Sequence, residues 1–443
     1  MMGRYKPYPE YSDSGVAWLG KLPSHWETKR LGSYFEERRE KVSDKDYEPL
    51  SVTMQGIVPQ LENAAKTDAG DNRKLVLKND FVINSRSDRK GSSGISPLDG
   101  SVSLISTVLI PRNIQPVFAH HLLRSQPFQE EYYRYGKGIV ADLWSTNYSE
   151  MKNILIPGLP KAEQLKIADF LEHETAKIDT LIKKQQLLIQ LLSEKRQTAI
   201  SHAVTKGLNP NVKMRDSGIE LLGSVPEHWV RCALKHYARI IDCKHTTAEF
   251  FDEGIPVASI GEVKEWHVNL QSAKLTSEKH YIDLIDGGRK PQPGDIIYSR
   301  NATVGEAALV PKEIQNFAMG QDVCLIRLEK DLLPEYILHV LKSSVIFKQL
   351  DLAMVGSTFK RINVDDIRNF SLVLPPVAEQ AEIAKEITRI LGKYNALGSK
   401  ALAAIELMQE RRKALISAAV TGKIDIRSWV APKESITNKE VAA

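Results

Sequence analysis

The sequence predicts two related globular domains of mixed α/β (α+β) type, two pseudo-two-fold-related copies joined by an antiparallel pair of long coiled-coil helices. Three observations lead to this fold class. The chain contains an internal repeat, each half ends in a long segment with helical periodicity, and the regions between alternate strand-like runs with turn signals.

Each half of the chain opens and closes with the same motifs. The motif Asp-Ser-Gly-x-x-x-Leu-Gly-x-x-Pro-x-His-Trp begins at Asp13 and again at Asp216. A closing block starts with Ala-Glu-Gln-x-x-Ile-Ala at Ala162 and again at Ala378. Between these motifs the sequences of the two halves diverge. The repeated motifs, which form a common frame, therefore indicate that one task is performed twice, and the divergent middle regions indicate related but different tasks.

Weaker similarity between the two halves remains inside the divergent middle regions. The run Asp80–Arg86 resembles Asp295–Arg300 with one residue inserted, and we expect Arg86 and Arg300 to correspond. Asn147 and Asn363 also occupy matching places.

The closing blocks predict two long helices, from Ala162 to Val204 and from about Ala378 to Val420. Apolar residues recur at steps of three and four, the spacing of a coiled-coil seam. The first predicted stripe is Ile167, Leu171, Ile178, Leu181, Leu188, Leu192 and Ala199. The second is Ile383, Ile387, Ile390, Tyr394, Leu397, Ala401, Met408 and Leu415, which Gly392 and Gly398 are expected to weaken.

These features divide the chain into five segments. We assign residues 1–157 and 209–374 to the two globular domains, 158–208 and 375–425 to the two helices, and 426–443 to a C-terminal tail.

Composition narrows the class of protein. A net charge of +5 permits nucleic-acid binding without requiring it. The three cysteines form no Cys-x-x-Cys pair, and the N-terminus lacks an apolar signal-like run, so we expect a cytoplasmic location. No phosphate loop, dinucleotide fingerprint or amino-methyltransferase motif is present, so we expect neither an enzyme active site nor a bound cofactor.

Other residues with chemical potential have simpler interpretations. His25 and His228 each precede a tryptophan, and we expect them to anchor the first segment of each domain. Asp252, Glu262 and Lys264 resemble a nuclease metal motif, but such coincidences are frequent in a chain with 26% charged residues. We therefore predict no catalytic residue and no metal site.

Two related globular domains held apart by helices of roughly 65 Å are suited to binding duplex DNA, whose half-sites on one face recur about every 34–36 Å. Base edges are read by Arg, Lys, Asn and Gln, and phosphates by basic and hydroxyl side chains. Two loops in each half are rich in these residues. The candidate DNA contacts are Asn84, Arg86, Arg89, Lys90, Lys137 and Asn147 in the first half, and Arg300, Asn301, Ser357, Thr358, Lys360 and Arg361 in the second.

The repeated motifs resemble those of the specificity subunits of Type I restriction-modification systems. The resemblance covers about residues 11–425 in the family's order. It implies two target-recognition domains that each read one half of an asymmetric, bipartite DNA site. It also implies that the chain is a non-catalytic subunit of a larger complex.

The resemblance further implies partners. Two modification subunits would bind S-adenosylmethionine and methylate adenine, and restriction subunits would use ATP and Mg²⁺ to translocate and cut DNA. The helices would be the docking surface for the modification subunits. The candidate partner contacts, expected on solvent-facing helix surfaces, are Glu163, Gln164, Lys195, Arg196, Glu379, Gln380, Arg411 and Arg412.

Three alternatives remain open from the residues alone. The chain could be a methyltransferase or nuclease with an unrecognised site, a coiled-coil scaffold that binds protein without reading DNA sequence, or a degenerate remnant that no longer assembles.

Overall fold

The structure is a computed structural model that describes residues 5–62, 70–138, 144–329, 331–354 and 361–432. The chain divides into two compact units. Unit 1 comprises Met1–Gln185 and Ala403–Ala443, and unit 2 comprises Gln186–Leu402. Within the described ranges, no helix is long and apolar enough to span a membrane.

Unit 1 combines short strands with short helices and parts of the two long helices. Its strands are β1 (Tyr11–Asp13), β2 (Lys21–Pro23), β3 (Glu27–Arg30), β4 (Phe35–Glu37), β5 (Lys41–Val42), β6 (Leu50–Thr53), β7 (Gly56–Pro59), β8 (Arg73–Val76), β9 (Phe81–Asn84), β10 (Ser93–Ile95), β11 (Gly100–Val102), β12 (Ser106–Pro111) and β13 (Leu155–Gly158). Its short helices are α1 (Pro116–Leu123), α2 (Gln126–Arg134) and α3 (Tyr148–Met151), and the long helix α4 (Lys161–Lys206) starts here.

Unit 2 is built in the same way. Its strands are β14 (Met214–Asp216), β15 (Ser224–Pro226), β16 (Val230–Ala233), β17 (Ala238–Asp242), β18 (Phe250–Phe251), β19 (Ile255–Ala258), β20 (Lys274–Thr276), β21 (Ile296–Ser299), β22 (Ala307–Leu309), β23 (Ala318–Met319), β24 (Val323–Leu328) and β25 (Ser371–Leu374). Its helices are α5 (Glu278–Ile285), α6 (Pro334–Leu341), α7 (Ser344–Ala353), α8 (Val364–Arg368) and the start of α9 (Val377–Val420).

Both units share a four-stranded antiparallel sheet with one strand order. The order is β10-β9-β12-β4 in unit 1 and β22-β21-β24-β17 in unit 2. The central strands carry fully buried residues such as Phe81 and Ile296. Among the described residues the remaining sheets differ, since unit 2 has the sheet β18-β20-β19-β23 with a parallel β19–β23 pair. The predicted mixed α/β fold and its duplication are confirmed.

The two long helices match their predicted bounds closely. Helix α4 has 46 residues and helix α9 has 44. Both are continuous, so Gly392 and Gly398 do not interrupt α9. Each helix contributes residues to both units, so the compact units divide the helices instead of ending at them.

The predicted apolar stripes are partly wrong by one residue. Leu181, Leu188 and Leu397 are 47%, 42% and 40% exposed. The positions next to them, Ile182, Ile189 and Gly398, are half-buried instead. Either choice fits a step of three or four, and burial by neighbouring elements decides which residue faces inward.

The helix segments within each unit run antiparallel. In unit 1, Arg412 of α9 lies beside Asp179 of α4, and Trp429, beyond the end of α9, packs on Phe170. In unit 2, Arg196 of α4 reaches Asn395 of α9. Further along, the Cβ position of Gly207 lies 3.4 Å from Glu379.

A repeated contact, which we name the clasp, holds the opening motif of unit 1. The carboxylate of Glu163, in the first turn of α4, accepts hydrogen bonds from the Tyr8 hydroxyl and from His25 Nε2, the latter at 3.0 Å. Trp26 is buried, and Gly422, which follows α9, packs against its ring. The clasp therefore joins the start of one long helix and the end of the other to one short motif.

Unit 2 repeats the clasp with its own residues. Glu379, in the first turn of α9, accepts from Trp229 Nε1 at 3.1 Å and from His228 Nε2 at 2.8 Å. Gly207, which follows α4, lies against the Trp229 ring. The prediction that the two His-Trp pairs anchor each first segment is confirmed.

We predict opposite effects for two glycine-to-alanine substitutions. Gly422 has a φ of +68°, and a Cβ there would lie 2.5 Å from Pro23 Cδ, so Gly422→Ala should lower the free energy of unfolding by at least about 1–2 kcal/mol. A Cβ on Gly392 meets no atom within 4 Å, so Gly392→Ala should raise it by up to about 1 kcal/mol. Urea denaturation of the full chain measures both; a neutral Gly422→Ala would contradict the clasp packing.

Candidate nucleic-acid interface

The two polar loops predicted in the first half meet in unit 1. A backbone bridge pairs Arg86, just after β9, with Ser145. Thr146 N donates to Ser85 O at 3.0 Å, and Ser145 also exchanges two hydrogen bonds with Lys137. The central sheet therefore fixes the position of both loops through their backbones.

Most of the predicted contacts in unit 1 are exposed. Arg86, Arg89, Lys90, Lys137 and Asn147 all lie at the surface. Lys90 stacks over the Tyr133 ring at 5.5 Å. Lys137 forms a surface ion pair with Glu150 at 3.2 Å, which water screens and DNA phosphate can replace.

Asn84 departs from the prediction, because it is only 8% exposed. Its Oδ1 accepts a hydrogen bond from Arg86 N at 3.1 Å, so Asn84 shapes the turn that presents Arg86. Trp144, which the sequence analysis did not predict as a contact, is 39% exposed beside Ser145. An aromatic residue within a polar loop was the available signal, since such rings stack on bases.

Unit 2 brings its two loops together in the same way. A bridge pairs Asn301 with Arg361, and Ile362 N donates to Arg300 O at 3.0 Å. Arg361 is exposed, and the Asn301 amide donates to Asp322 Oδ1 at 3.0 Å. Ser357, Thr358 and Lys360 lie outside the described residues.

The expectation that Arg300 is an accessible DNA contact is wrong. Its side chain is 5% exposed and its Nη2 lies 2.6 Å from Asp242 Oδ1. Strand pairing explains the error, because β9 corresponds to β21 from Phe81 and Ile296 onward. Arg86 therefore corresponds to Asn301 and not to Arg300, one residue away from the predicted alignment.

A cleft next to Asn301, lined by both polar and apolar side chains, was not predicted. It has a volume of about 420 Å³ and is lined by Thr247, Ser259, Lys274, Gln321 and Asp322 among others. The Gln321 amide donates to the Thr247 hydroxyl at 3.1 Å. These residues are separated in sequence, and only the sheet topology brings them together.

The predicted solvent exposure of several partner contacts is wrong. Glu163, Gln164 and Gln380 are 6%, 2% and 1% exposed. Each glutamine accepts a hydrogen bond from the residue that caps a helix, Gln115 N before α1 and Leu333 N before α6, and donates to a carbonyl just before its own helix. The Ala-Glu-Gln motif is repeated because it ties each long helix to its unit.

The other predicted partner contacts are more accessible. Lys195 and Arg411 are exposed, while Glu379 is half-buried in the clasp. Arg196 and Arg412 are half-buried and contact the other long helix within their own units, at Asn395 and Asp179.

One group among the described residues has the geometry to hold a metal ion. Ligand atoms of Asp242, Cys243 and His245 lie within 4.8 Å of one another. However, Arg300 pairs with Asp242, and burial raises the pKa of Cys243 to about 11, so its thiol stays protonated. The nuclease-like Glu262 is buried and accepts from Ser259 N, which leaves it a structural role.

Comparison with known proteins gives consistent matches. Residues 234–407 match the family model of the Type I restriction modification DNA specificity domain. The chain is 25% identical over 380 residues to the Type I restriction enzyme EcoKI specificity subunit of Escherichia coli K12, covering 82% of this chain and 78% of that protein.

Solved structures share the fold. A chain from a structure that concerns complex assembly and conformational transition of the type I R-M system has a TM-score of 0.69 at 17% identity, covering 91% of this chain and 99% of that one. The HsdS subunit from Thermoanaerobacter tengcongensis has a TM-score of 0.52 at 19% identity, covering 91% and 98%.

We predict that two arginines near the loop bridges in unit 2 differ in their effect on stability. Arg300→Ala removes the guanidinium partner of Asp242, which keeps its contacts with Cys243 N and His245. The substitution should cost somewhat less than the about 3–5 kcal/mol of a fully buried pair, since Asp242 is a third exposed. Arg361 lies at the surface, so Arg361→Ala should change the free energy of unfolding by less than about 0.5 kcal/mol. Equal midpoints in urea for the two variants would contradict the assigned burial.

Proposed function

We infer that the chain belongs to the specificity subunits of Type I restriction-modification systems, and we propose that each unit reads one half of an asymmetric, bipartite DNA site. One observation carries this proposal. In each unit, two polar loops that lie far apart in sequence meet through a backbone bridge beside the duplicated sheet. A duplicated frame with different residues at the bridge is what two different half-sites require.

The residues at the bridges fit base readout. Arg86 and Arg361 are exposed, and a guanidinium can donate two parallel hydrogen bonds to guanine O6 and N7. Asn301 stands where unit 1 has Arg86, and an amide pairs best with adenine. Lys90, Lys137 and Arg89 surround the unit 1 bridge and suit phosphates.

We propose that the chain itself is not catalytic. Methyl transfer would come from two modification subunits that bind S-adenosylmethionine, and cleavage from restriction subunits that use ATP and Mg²⁺. Its three cysteines are unpaired, which fits a reducing cytoplasm.

The modification subunits would dock on the long helices. Exposed leucines favour this, since Leu187, Leu188 and Leu191 of α4 and Leu402 of α9 are 42% to 55% exposed. An apolar surface of this kind marks an interaction site. Lys195 and Arg411 would contribute charged contacts at its rim. A scaffold that only binds protein would account for the leucines but leaves the paired polar loops without a role.

We predict that two arginine substitutions relax opposite half-sites. In the complex assembled with modification subunits, Arg86→Ala should relax recognition in one half-site and Arg361→Ala in the other, each costing about 1–3 kcal/mol of binding to the correct sequence. Binding to a panel of duplexes with single base changes measures this effect.

The matched control is Arg239→Ala, an exposed arginine of β17 away from the bridges. It should leave the sequence preference unchanged. If neither bridge variant changes the recognition of a half-site, the assignment of the bridges is wrong. If each variant relaxes recognition of both half-sites, the division into two recognition units is wrong.

A further inference from the structure

Unit 1 contains a cavity of about 270 Å³ between its helices, and Gly91, which follows Lys90, also lines it. We name it the α1–α9 pocket. Its walls come from helix α1, the start of α2 and the last turns of α9, and they include His120, His121, Arg124, Arg412 and Lys413. The pocket therefore lies where the variable part of unit 1 meets the repeated frame.

The pocket carries a concentrated positive charge. Arg124, Arg412 and Lys413 line it, and none of the described residues in its lining is a carboxylate. Arg412 is neutralised by Asp179, with Nε 2.9 Å from Oδ1. Within the described ranges, Arg124 and Lys413 have no carboxylate partner, although Arg124 Nη2 donates a hydrogen bond to the Met54 carbonyl, so the charges of two cations at the cavity are not neutralised.

A conflict between two donors marks where an acceptor is missing. His120 Nδ1 accepts a hydrogen bond from Ile95 N at 3.2 Å, so a neutral ring must carry its proton on Nε2. That nitrogen lies 3.0 Å from Nη1 of Arg124, which is also a donor. An anionic oxygen within reach of both groups would satisfy them together.

The electrostatics of the histidines agree with this picture. Burial, together with the charge of Arg124, lowers the pKa of His120 to about 3. Burial and the charge of Arg412 lower the pKa of His121 to about 4. Both rings stay neutral near pH 7, so the site would bind an anion through fixed cations and neutral N–H donors.

The equivalent positions in unit 2 have different contacts. Helix α6 corresponds to α1, which places Lys342 where unit 1 has Arg124, while Arg196 and Gln197 stand in place of Arg412 and Lys413. There, Gln197 Nε2 donates to Lys342 O at 2.7 Å. The Trp266 ring lies under both Lys342 and Arg196, and Lys342 pairs with Glu306 at 3.4 Å. In unit 2, Lys342 is therefore neutralised by Glu306, and both Lys342 and Arg196 lie against an aromatic ring.

We propose that the α1–α9 pocket binds a phosphate group, held by the side chains of Arg124 and Lys413 and by the Nε2–H of His120. A backbone phosphate of DNA and free inorganic phosphate present the same oxygens to these donors. If the phosphate belongs to DNA, the inference rests on the proposed function, and the pocket adds an anchor that carries no sequence information.

Two measurements on the full chain test the site and its source. One follows the ³¹P NMR signal of inorganic phosphate as protein is added, and the other measures duplex affinity over a range of salt concentrations. Each compares the unsubstituted chain with Arg124→Gln and Lys413→Gln. Arg389→Gln, an exposed arginine of α9 in unit 2, is the control. Lys413 is exposed, so that variant keeps the test valid if Arg124→Gln fails to fold.

We expect the Kd for phosphate to rise at least tenfold in either variant if the occupant is free phosphate. If the occupant is DNA, duplex affinity should fall three- to tenfold for every sequence, and the slope of log K against log salt should decrease by about one. Unchanged phosphate and duplex binding in both variants would overturn the pocket. If the unsubstituted chain in its complex shows no preference for any half-site, the proposed function is overturned, and the phosphate measurement is unaffected.

Discussion

The clasp is the contact on which each unit depends. A glutamate in the first turn of one long helix accepts hydrogen bonds from the His-Trp motif, and a glycine after the end of the other helix packs on the tryptophan. In unit 1, where Glu163 is 6% exposed, these hydrogen bonds act where water competes little. The buried glutamines beside the clasp then accept hydrogen bonds from the backbone of the residues that cap helices α1 and α6, so the position of each variable region is set from the repeated frame.

This arrangement separates stability from specificity within one chain. The frame uses the same residues twice, while the bridges carry Arg86 in one unit and Asn301 in the other at equivalent places. Residues that project from the bridge can change without loss of a buried contact, whereas a change at Gln164 or Gln380 leaves buried polar groups unpaired.

The sequence alone predicted what periodicity and repetition encode. Two halves, two long helices and two pairs of polar loops followed from the repeated motifs, and the described residues show the halves, the helices and a backbone bridge between the loops of each unit. The sequence did not decide which of two neighbouring residues takes a given position, such as Ile182 or Leu181 on the buried face, or Asn301 or Arg300 at the bridge. Both alternatives satisfy the local pattern, and only tertiary packing or strand register selects between them. Glu163 and Gln164 looked like surface residues because their hydrogen-bond partners lie far away in sequence.

Whether each unit reads its own half-site can be measured by sequencing the methylated adenines of cells that express this chain with its modification subunits. We expect one asymmetric motif of two short specified parts around an unspecified spacer, absent when the chain is not expressed. A single uninterrupted motif, or methylation that is the same with and without the chain, would contradict it.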